Sequence, residues 1–426
     1  MSVIAPLLAP ACLREGASGV RGPEPIWHAR FDRMAVLGGA ALSFSRSSPA
    51  TAWGHDGLLT SVAADTPVFM HDGDGRNLGL ACLSAHTNGL LHSRDLTQGV
   101  WTPSDVVVAH DATGVDGAAA SACTITDAHN GSRGYIDQTV AIPDDGSSHV
   151  ATVFIAKDAN TARFPLIQFD LVGGSILREQ IWLNTATGDV VIAAEQGSHR
   201  IEDAGNWWRV VLVQTNDGSG NVGARLRLRP ANGSVIGVNA DDATGSIVVD
   251  MAQIHVGTTR FAAAPIATGA TPVTRAADSA VVGLAGRLPG AFGFEVMWDA
   301  DGGEAQYARV LEFSDGTADN LIALIRAGDQ VQCNVVSAGG FVVNANIGGW
   351  TAGRHRVVAR MAPDRFAMAM DGAAPVTDGS GAVPAVDRLL LGHTTGASWL
   401  DNTLASAAVW PWAPSDDALQ ALSARR

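Results

Sequence analysis

Three carboxylates, Asp299, Asp301 and Glu304, stand in one short run, D-A-D-G-G-E. On a β-strand, positions i and i+2 share a face. Acids at that spacing could therefore flank a glycosidic bond, one donating a proton and the other acting as base or nucleophile. The two glycines argue for a hairpin, and the run is read as a solvated turn, since motifs this short match by chance. His255, His355 and His393 are scattered, and a Ser/His/Asp site would need them to converge in space. No G-x-S-x-G, H-E-x-x-H or phosphate-loop pattern occurs.

The tryptophans offer a different chemistry. Sugars stack their C–H faces on aromatic rings while flanking amides, carboxylates and arginines hold the hydroxyls. Trp207 and Trp208 are neighbours on an expected strand and must point to opposite faces, one into a core and the other to solvent or a second chain. Trp182, in E-Q-I-W-L-N, is expected to line the same sheet as Gln168 and Arg209. Trp182, Trp208, Gln168 and Arg209 are thus the first carbohydrate-binding candidates, with Trp350 and Trp399, near turns, as the second set. For each ring the competing reading is core packing, which is where large aromatics mostly lie. Trp410 and Trp412 read as structural. No cofactor or catalytic residue is implied. In H-D-G-D-G (71–75) the Asp72 and Asp74 oxygens would suit a structural Ca²⁺, but the remaining ligands are missing and a tight turn is the better reading.

Composition sets the frame for these candidates. With 426 residues the chain should form two or three domains. Gly 48, only 16% charged residues and closely spaced turn dipeptides suit β-sandwiches of many short strands. Lys157 is the only lysine, and the arginine richness is read as a GC-rich coding bias from which no function is drawn. A net charge of −14 argues against nucleic acid, whose phosphates need a basic stripe, and against anionic membrane surfaces. Cys12, Cys82, Cys123 and Cys333 form no C-x-x-C pair and are expected to be buried free thiols, with one disulfide left open. The start, MSVIAPLLAPACL, lacks a basic n-region and is broken by prolines, so a docking arm is expected rather than an export signal. No stretch approaches the length of a membrane-spanning helix.

Several segments carry clear local patterns. Residues 150–157 and 292–298 alternate as half-buried strands do. Residues 43–45 and 58–60 read as strands around a G-H-D-G turn. Ser415 followed by two aspartates reads as the capped start of a short helix over 415–422. Residues 1–43 hold few large anchors, among them Trp27 and Phe31, and are expected to order only against another subunit.

The order of motifs resembles a known family. F-S-R-S-S-P-A-T (44–51), A-A-D-T-P-V-F (63–69), H-D (71–72) and T-N-G-L-L (87–91) are similar to the lead-in segment of virion fibre and spike proteins of tailed bacteriophages and gene transfer agents. L-T-Q-G-V-W (96–101), G-Y-I-D-Q-T-V (134–140), G-N-W-W-R-V-V-L-V (205–213), D-M-A-Q-I-H (250–255) and T-P-V-T-R-A-A-D (271–278) resemble, in order, the carbohydrate-binding-like sandwich that follows it there. Residues 292–298, 308–316, 354–360, 366–372, 388–392, 404–410 and 415–422 resemble a concanavalin-A-like sandwich. On that fold D-A-D-G-G-E is similar to a hydrolase signature, with Asp where that signature opens on Glu.

The resemblance implies an all-β protein of two tandem β-sandwich (jelly-roll) domains preceded by an extended N-terminal anchoring segment. The expected divisions are an arm over 1–43, a junction segment over 44–91, a carbohydrate-binding-like sandwich over 92–275 and a concanavalin-A-like sandwich over 276–426. It further implies a non-enzymatic virion surface protein, assembled in the bacterial cytoplasm, whose partners are capsid or tail proteins and host cell-surface polysaccharide. A homo-oligomer, most simply a trimer, is expected. The alternatives are a depolymerase on the last sandwich and a purely structural decoration protein.

Overall fold

The structure is a computed structural model that describes residues 2–4, 24–255 and 264–424. All of its strand pairs are antiparallel, and one short helix closes the described chain, Asp416–Ser423. As expected, two β-sandwiches account for nearly all of it.

In the first sandwich, one sheet orders its strands Thr102–Ser104, Tyr135–Ala141, Gly223–Gly233, Phe164–Val172, Leu177–Leu183 and Val190–Glu195. The facing sheet runs Val107–Ala112, Ala122–Asp127, Gly245–His255, Ser148–Ala156, Trp207–Thr215 and Ser198–Ala204. The period-2 pattern decides which side chains meet. In Phe164–Val172, Ile167, Phe169 and Leu171 join the core between the sheets, while Leu166, Gln168 and Asp170 face outward.

The second sandwich corrects the expected chain path. Residues 27–45 do not form an arm awaiting another subunit. Trp27–Arg30 pairs with Asn402–Trp410, and Leu42–Ser45 pairs with Ser279–Gly283, both within this chain. Backbone pairing extends to Ser2–Ile4, which lies along Leu42–Ser45. The reason is burial: Trp27, Phe31 and Phe44 are fully enclosed in the second core beside Phe292, Phe294 and Trp298. Each such ring removed from water contributes about 1.5–3 kcal/mol. Part of the junction segment joins the same sandwich, since Asn77–Cys82 also pairs with Asn402–Trp410. The first sandwich is therefore an insertion into the second. The arm over 5–23, with Cys12, lies outside the described residues. Cys82, Cys123 and Cys333 are buried free thiols, and burial pushes Cys333 up to about 12.

The strand expected at 58–60 does return around the G-H-D-G turn, but as Leu59–Val62 it pairs with Ala50–Trp53 rather than with 43–45. The helix starts as expected, with the Ser415 side chain accepting from the Ala418 N–H and Leu419 buried. Among the described residues no helix is long and apolar enough to cross a membrane.

Where the chain leaves and re-enters the second sandwich, His86–Asn88 pairs with Val273–Arg275. Beside this ladder lies a buried ion cluster. The Asp278 carboxylate accepts from Arg275 Nη2 at 2.7 and 2.8 Å, from Arg46 Nη1 at 3.3 Å and from the Leu83 N–H at 3.0 Å. Arg46 spends its other donors on the Ser48, Thr66 and Ala63 carbonyls. Nearby, the Asn88 side chain donates to the Ala252 and Ile266 carbonyls and accepts from the Leu90 and Ile254 N–H groups. The motif residues at the two ends of the insertion thus bond to one another or to the strands they join. Removing one partner of a buried ion pair leaves the others uncompensated. Asp278→Ala is expected to lower unfolding free energy by about 3–5 kcal/mol in a urea titration.

The same junction encloses His86 and His255, ring centroids 4.9 Å apart. Burial, helped by the Arg275 charge, pushes His86 from its ordinary 6.5 down to about 4. Burial likewise drives His255 well below the ordinary range. An unfolded imidazole takes its proton near 6.5, and the folded one refuses it until about 4. The stabilising contribution is therefore present above 6.5 and is lost as pH falls through that window. For His86 it is on the order of 3 kcal/mol. A His86→Gln variant should lose less of its urea midpoint than the parent between pH 7 and pH 4.

Candidate functional site

The outward face of the sheet holding Gly223–Gly233 is a grid set by strand register. Asp137, Arg227, Gln168 and Gln180 stand side by side across four strands. The next row is Thr139, Arg225, Asp170 and Arg178, and the row on the other side runs Arg229, Leu166 and Trp182. The sequence A-R-L-R-L-R produces this directly: Leu226 and Leu228 enter the core, so Arg225, Arg227 and Arg229 must point out.

Charge is distributed unevenly over the grid. Asp170 is fully buried and accepts from Arg178 Nε at 2.8 Å, Arg225 Nη2 at 2.5 Å and Gln168 Nε2 at 2.5 Å. Burial opposes its ionisation, but those hydrogen bonds outweigh it and hold the carboxyl below its ordinary value. Arg227 donates to Asp137 at 2.7 and 2.5 Å, and its guanidinium lies 3.8 Å from the Tyr135 ring centroid. Arg229 forms no ion pair among the described residues. It donates to the Arg133 carbonyl at 2.6 Å and sits 4.9 Å from the Tyr135 ring centroid. Burial first, then the neighbouring Arg227 and Arg133 charges, lower its pKa to about 10.

These side chains border a cavity of about 220 Å³ walled by Arg133, Arg178, Arg227, Arg229, Gln168, Gln180, Asn232 and Asn239, with Leu166 and Ala193. Gln180 donates to Gln168 Oε1 at 2.9 Å and Asn232 to Asn239 Oδ1 at 2.6 Å, while the buried Asn232 Oδ1 has no partner among the described residues. Amide and guanidinium donors converging on one cavity suit a polyhydroxylated ligand.

A second cavity, about 270 Å³, lies between the sandwiches and is bordered by Trp53, Arg200, Glu202, Arg209, Asp301 and Asp401 among others. Arg200 reaches across to Asp301 at 3.1 Å and also pairs with Glu202, so its charges are largely matched. Burial pushes Asp401 up to about 6 despite the Ser84 N–H it accepts at 2.6 Å.

Of the residues singled out from sequence, only Gln168 lines the first cavity. Trp182 is on the same face but 2% exposed, covered by the segment carrying Ile236 and packed with Phe164 and Leu166. It offers no stacking surface. Trp208 and Arg209 lie in the other sheet. The Trp208 indole donates to the Thr185 carbonyl at 2.9 Å, and its ring faces the Lys157 ammonium at 4.0 Å and backs against Gly188. At Gly188, φ is +79° and an added Cβ would meet that ring at 2.7 Å. Trp207, on the opposite face, packs with Trp53 and Phe154. Arg209 is buried against Glu202 at the edge of the junction cavity.

Trp399 is half-buried and donates to the Asp278 carbonyl at 2.8 Å, stacking beside His393. Trp350 is 4% exposed in the second core and donates to Glu304 Oε2 at 2.6 Å. The D-A-D-G-G-E run is therefore not a solvated turn. Glu304, 1% exposed, accepts from Trp350, Asn402 and the Asp301 N–H. Asp299 is gripped by Arg354 at 2.9 and 2.7 Å and by the Thr403 hydroxyl at 2.8 Å. In the 71–75 loop, Asp72 accepts from the Asp74 and Arg76 N–H groups, as a tight turn requires. Sequence reasoning missed the cavity's arginines; for Arg227 and Arg229 the signal was the alternation over 225–229.

No protein-family model matches the chain, and no curated protein is similar to it in sequence. Several solved structures are similar to it, three of which follow. Domains LG4-5 of the mouse laminin α1 chain are 12% identical, with 77% of this chain and 88% of that one covered and a TM-score of 0.22. The tandem CBM22-1–CBM22-2 domains of Paenibacillus barcinonensis Xyn10C are 10% identical, covering 78% and 98%, with a TM-score of 0.26. Trypanosoma rangeli sialidase, in complex with sialic acid, is 12% identical, covering 90% and 77%, with a TM-score of 0.27.

Trp350→Ala tests the structural assignment of that ring. It should cost about 3–5 kcal/mol of stability, because it opens a cavity and strips Glu304 of a buried donor. A denaturant titration with unchanged midpoint would restore Trp350 as a site candidate.

Proposed function

We propose that this protein is a non-enzymatic virion surface protein, a head spike or tail fibre of a phage or gene transfer agent, that binds host cell-surface polysaccharide through the first sandwich. The observation that carries the binding role is the outward cavity in which four amide and four guanidinium side chains converge. The virion setting is supported by the ordered motifs from 44 to 278, whose Arg46, Asn88, Arg275 and Asp278 prove to be junction residues. Attachment to capsid or tail is assigned to the N-terminal region, and a symmetric homo-oligomer would multiply weak sugar contacts.

A non-enzymatic role is favoured by the state of the acids in D-A-D-G-G-E. Asp299 and Glu304 are saturated by internal donors, and neither is free to protonate a leaving group or attack a sugar. The test is retention of the purified protein on capsule polysaccharide from candidate hosts. A Gln180→Ala, Asn239→Ala double variant should bind roughly tenfold more weakly, the loss of about two net hydrogen bonds. Undiminished binding by that variant would remove the cavity from the proposal. Release of new reducing ends from the polysaccharide would overturn the non-enzymatic reading.

A further inference from the structure

Among the described residues, the walls of the first-sandwich cavity hold four guanidinium groups and no carboxylate. This stands out in a chain whose net charge is −14. The nearest acids are already committed: Asp137 to Arg227, Asp170 to Arg178 and Arg225, and Asp241 to Arg133. They neutralise part of the cluster from its rim or from beneath. Arg229 is left without a counter-ion among the described residues, and burial together with two neighbouring arginines lowers its proton affinity to about 10. An arrangement of this kind is costly without an anion, because like charges crowd in a partly desolvated site.

We infer that the cavity binds the acidic units of a polysaccharide, sugars bearing a carboxylate, sulfate or phosphate group, with Arg229 as the principal anion contact. The inference rests on the polysaccharide reading above and narrows its ligand class. A guanidinium presents a planar fork of donors that matches an oxyanion in two parallel hydrogen bonds. Around it, Asn232, Asn239 and Gln180 supply the mixed donors and acceptors that sugar hydroxyls need. Asn232 Oδ1 is buried and has no hydrogen-bond partner among the described residues. The negative charge of the whole chain repels polyanions elsewhere on the surface, so binding of this class should be local and salt-sensitive.

The experiment compares calorimetric binding of the full chain to three size-matched glycans at low salt: polygalacturonate oligomers, sulfated dextran oligomers and neutral dextran oligomers. At least one acidic glycan should bind about tenfold more tightly than the neutral one, with affinity falling as salt rises. Which acidic glycan binds distinguishes a carboxylate from a sulfate ester as the recognised group. Arg229→Gln should remove about that tenfold preference, so that acidic and neutral glycans bind alike. Arg229→Lys, which keeps the charge but not the fork, should recover part of it. Equal binding of neutral and acidic glycans, or an Arg229→Gln variant with the full preference, would overturn the inference and leave polysaccharide binding standing. Failure of all three glycans to bind would overturn both.

Discussion

The Asp278 carboxylate, buried between Arg46 and Arg275, is the contact on which the rest of the architecture depends. The three side chains come from two places along the chain: Arg46 from before the inserted sandwich, Arg275 and Asp278 from just after it. A carboxylate enclosed with two guanidinium groups is stable only while every member keeps its partners. The cluster therefore fixes the departing and returning segments to one another, and the register is locked by the Asp278 N–H donating to the Leu83 carbonyl while the Leu83 N–H donates to the Asp278 carboxylate. Once that register is set, Asn88 and the His86–His255 pair fall into the same dry junction.

Register governs the ligand face as well. One strand with arginine at every second position would be a solvated edge if it lay at the side of the sheet. Gly223–Gly233 lies inside it, between Tyr135–Ala141 and Phe164–Val172, so its guanidinium groups are held by neighbours on both flanks. Asp170 and Asp137 orient two of them, Arg225 and Arg227, and the Tyr135 ring lies against Arg227 and Arg229. The face owes its polarity to alternation and its shape to pairing, while the segment around Ile236 removes Trp182 from contact with solvent.

Two sandwiches were legible because alternating strands and ordered motifs are local signals, and the Ser415 cap is more local still. What sequence could not convey was partnership across hundreds of residues. Trp27 and Phe31 looked like isolated anchors in a segment poor in other large side chains, yet their enclosure is supplied by strands near 282, 294 and 409. Trp182, Trp208 and Trp350 were chosen for chemistry that any exposed indole can perform, and exposure is the property sequence does not encode. The arginines over 225–229 were legible in principle. Reading all arginine as coding bias hid the one stretch where its spacing, not its abundance, carries the information.

The inserted topology has a mechanical consequence. Trp27–Arg30 and Asn402–Trp410 are paired neighbours, so tension applied between them loads the second sandwich alone and leaves the first outside the force path. Tension applied to the outer face of the first sandwich passes instead through two covalent tethers side by side, joined by the 86–88 and 273–275 ladder and the Asp278 cluster. Each tether bears only a share of the load, and torque between the domains is resisted as it would not be by a single linker. A domain hung from one strand would swivel like a flag; this one is mounted like a bracket.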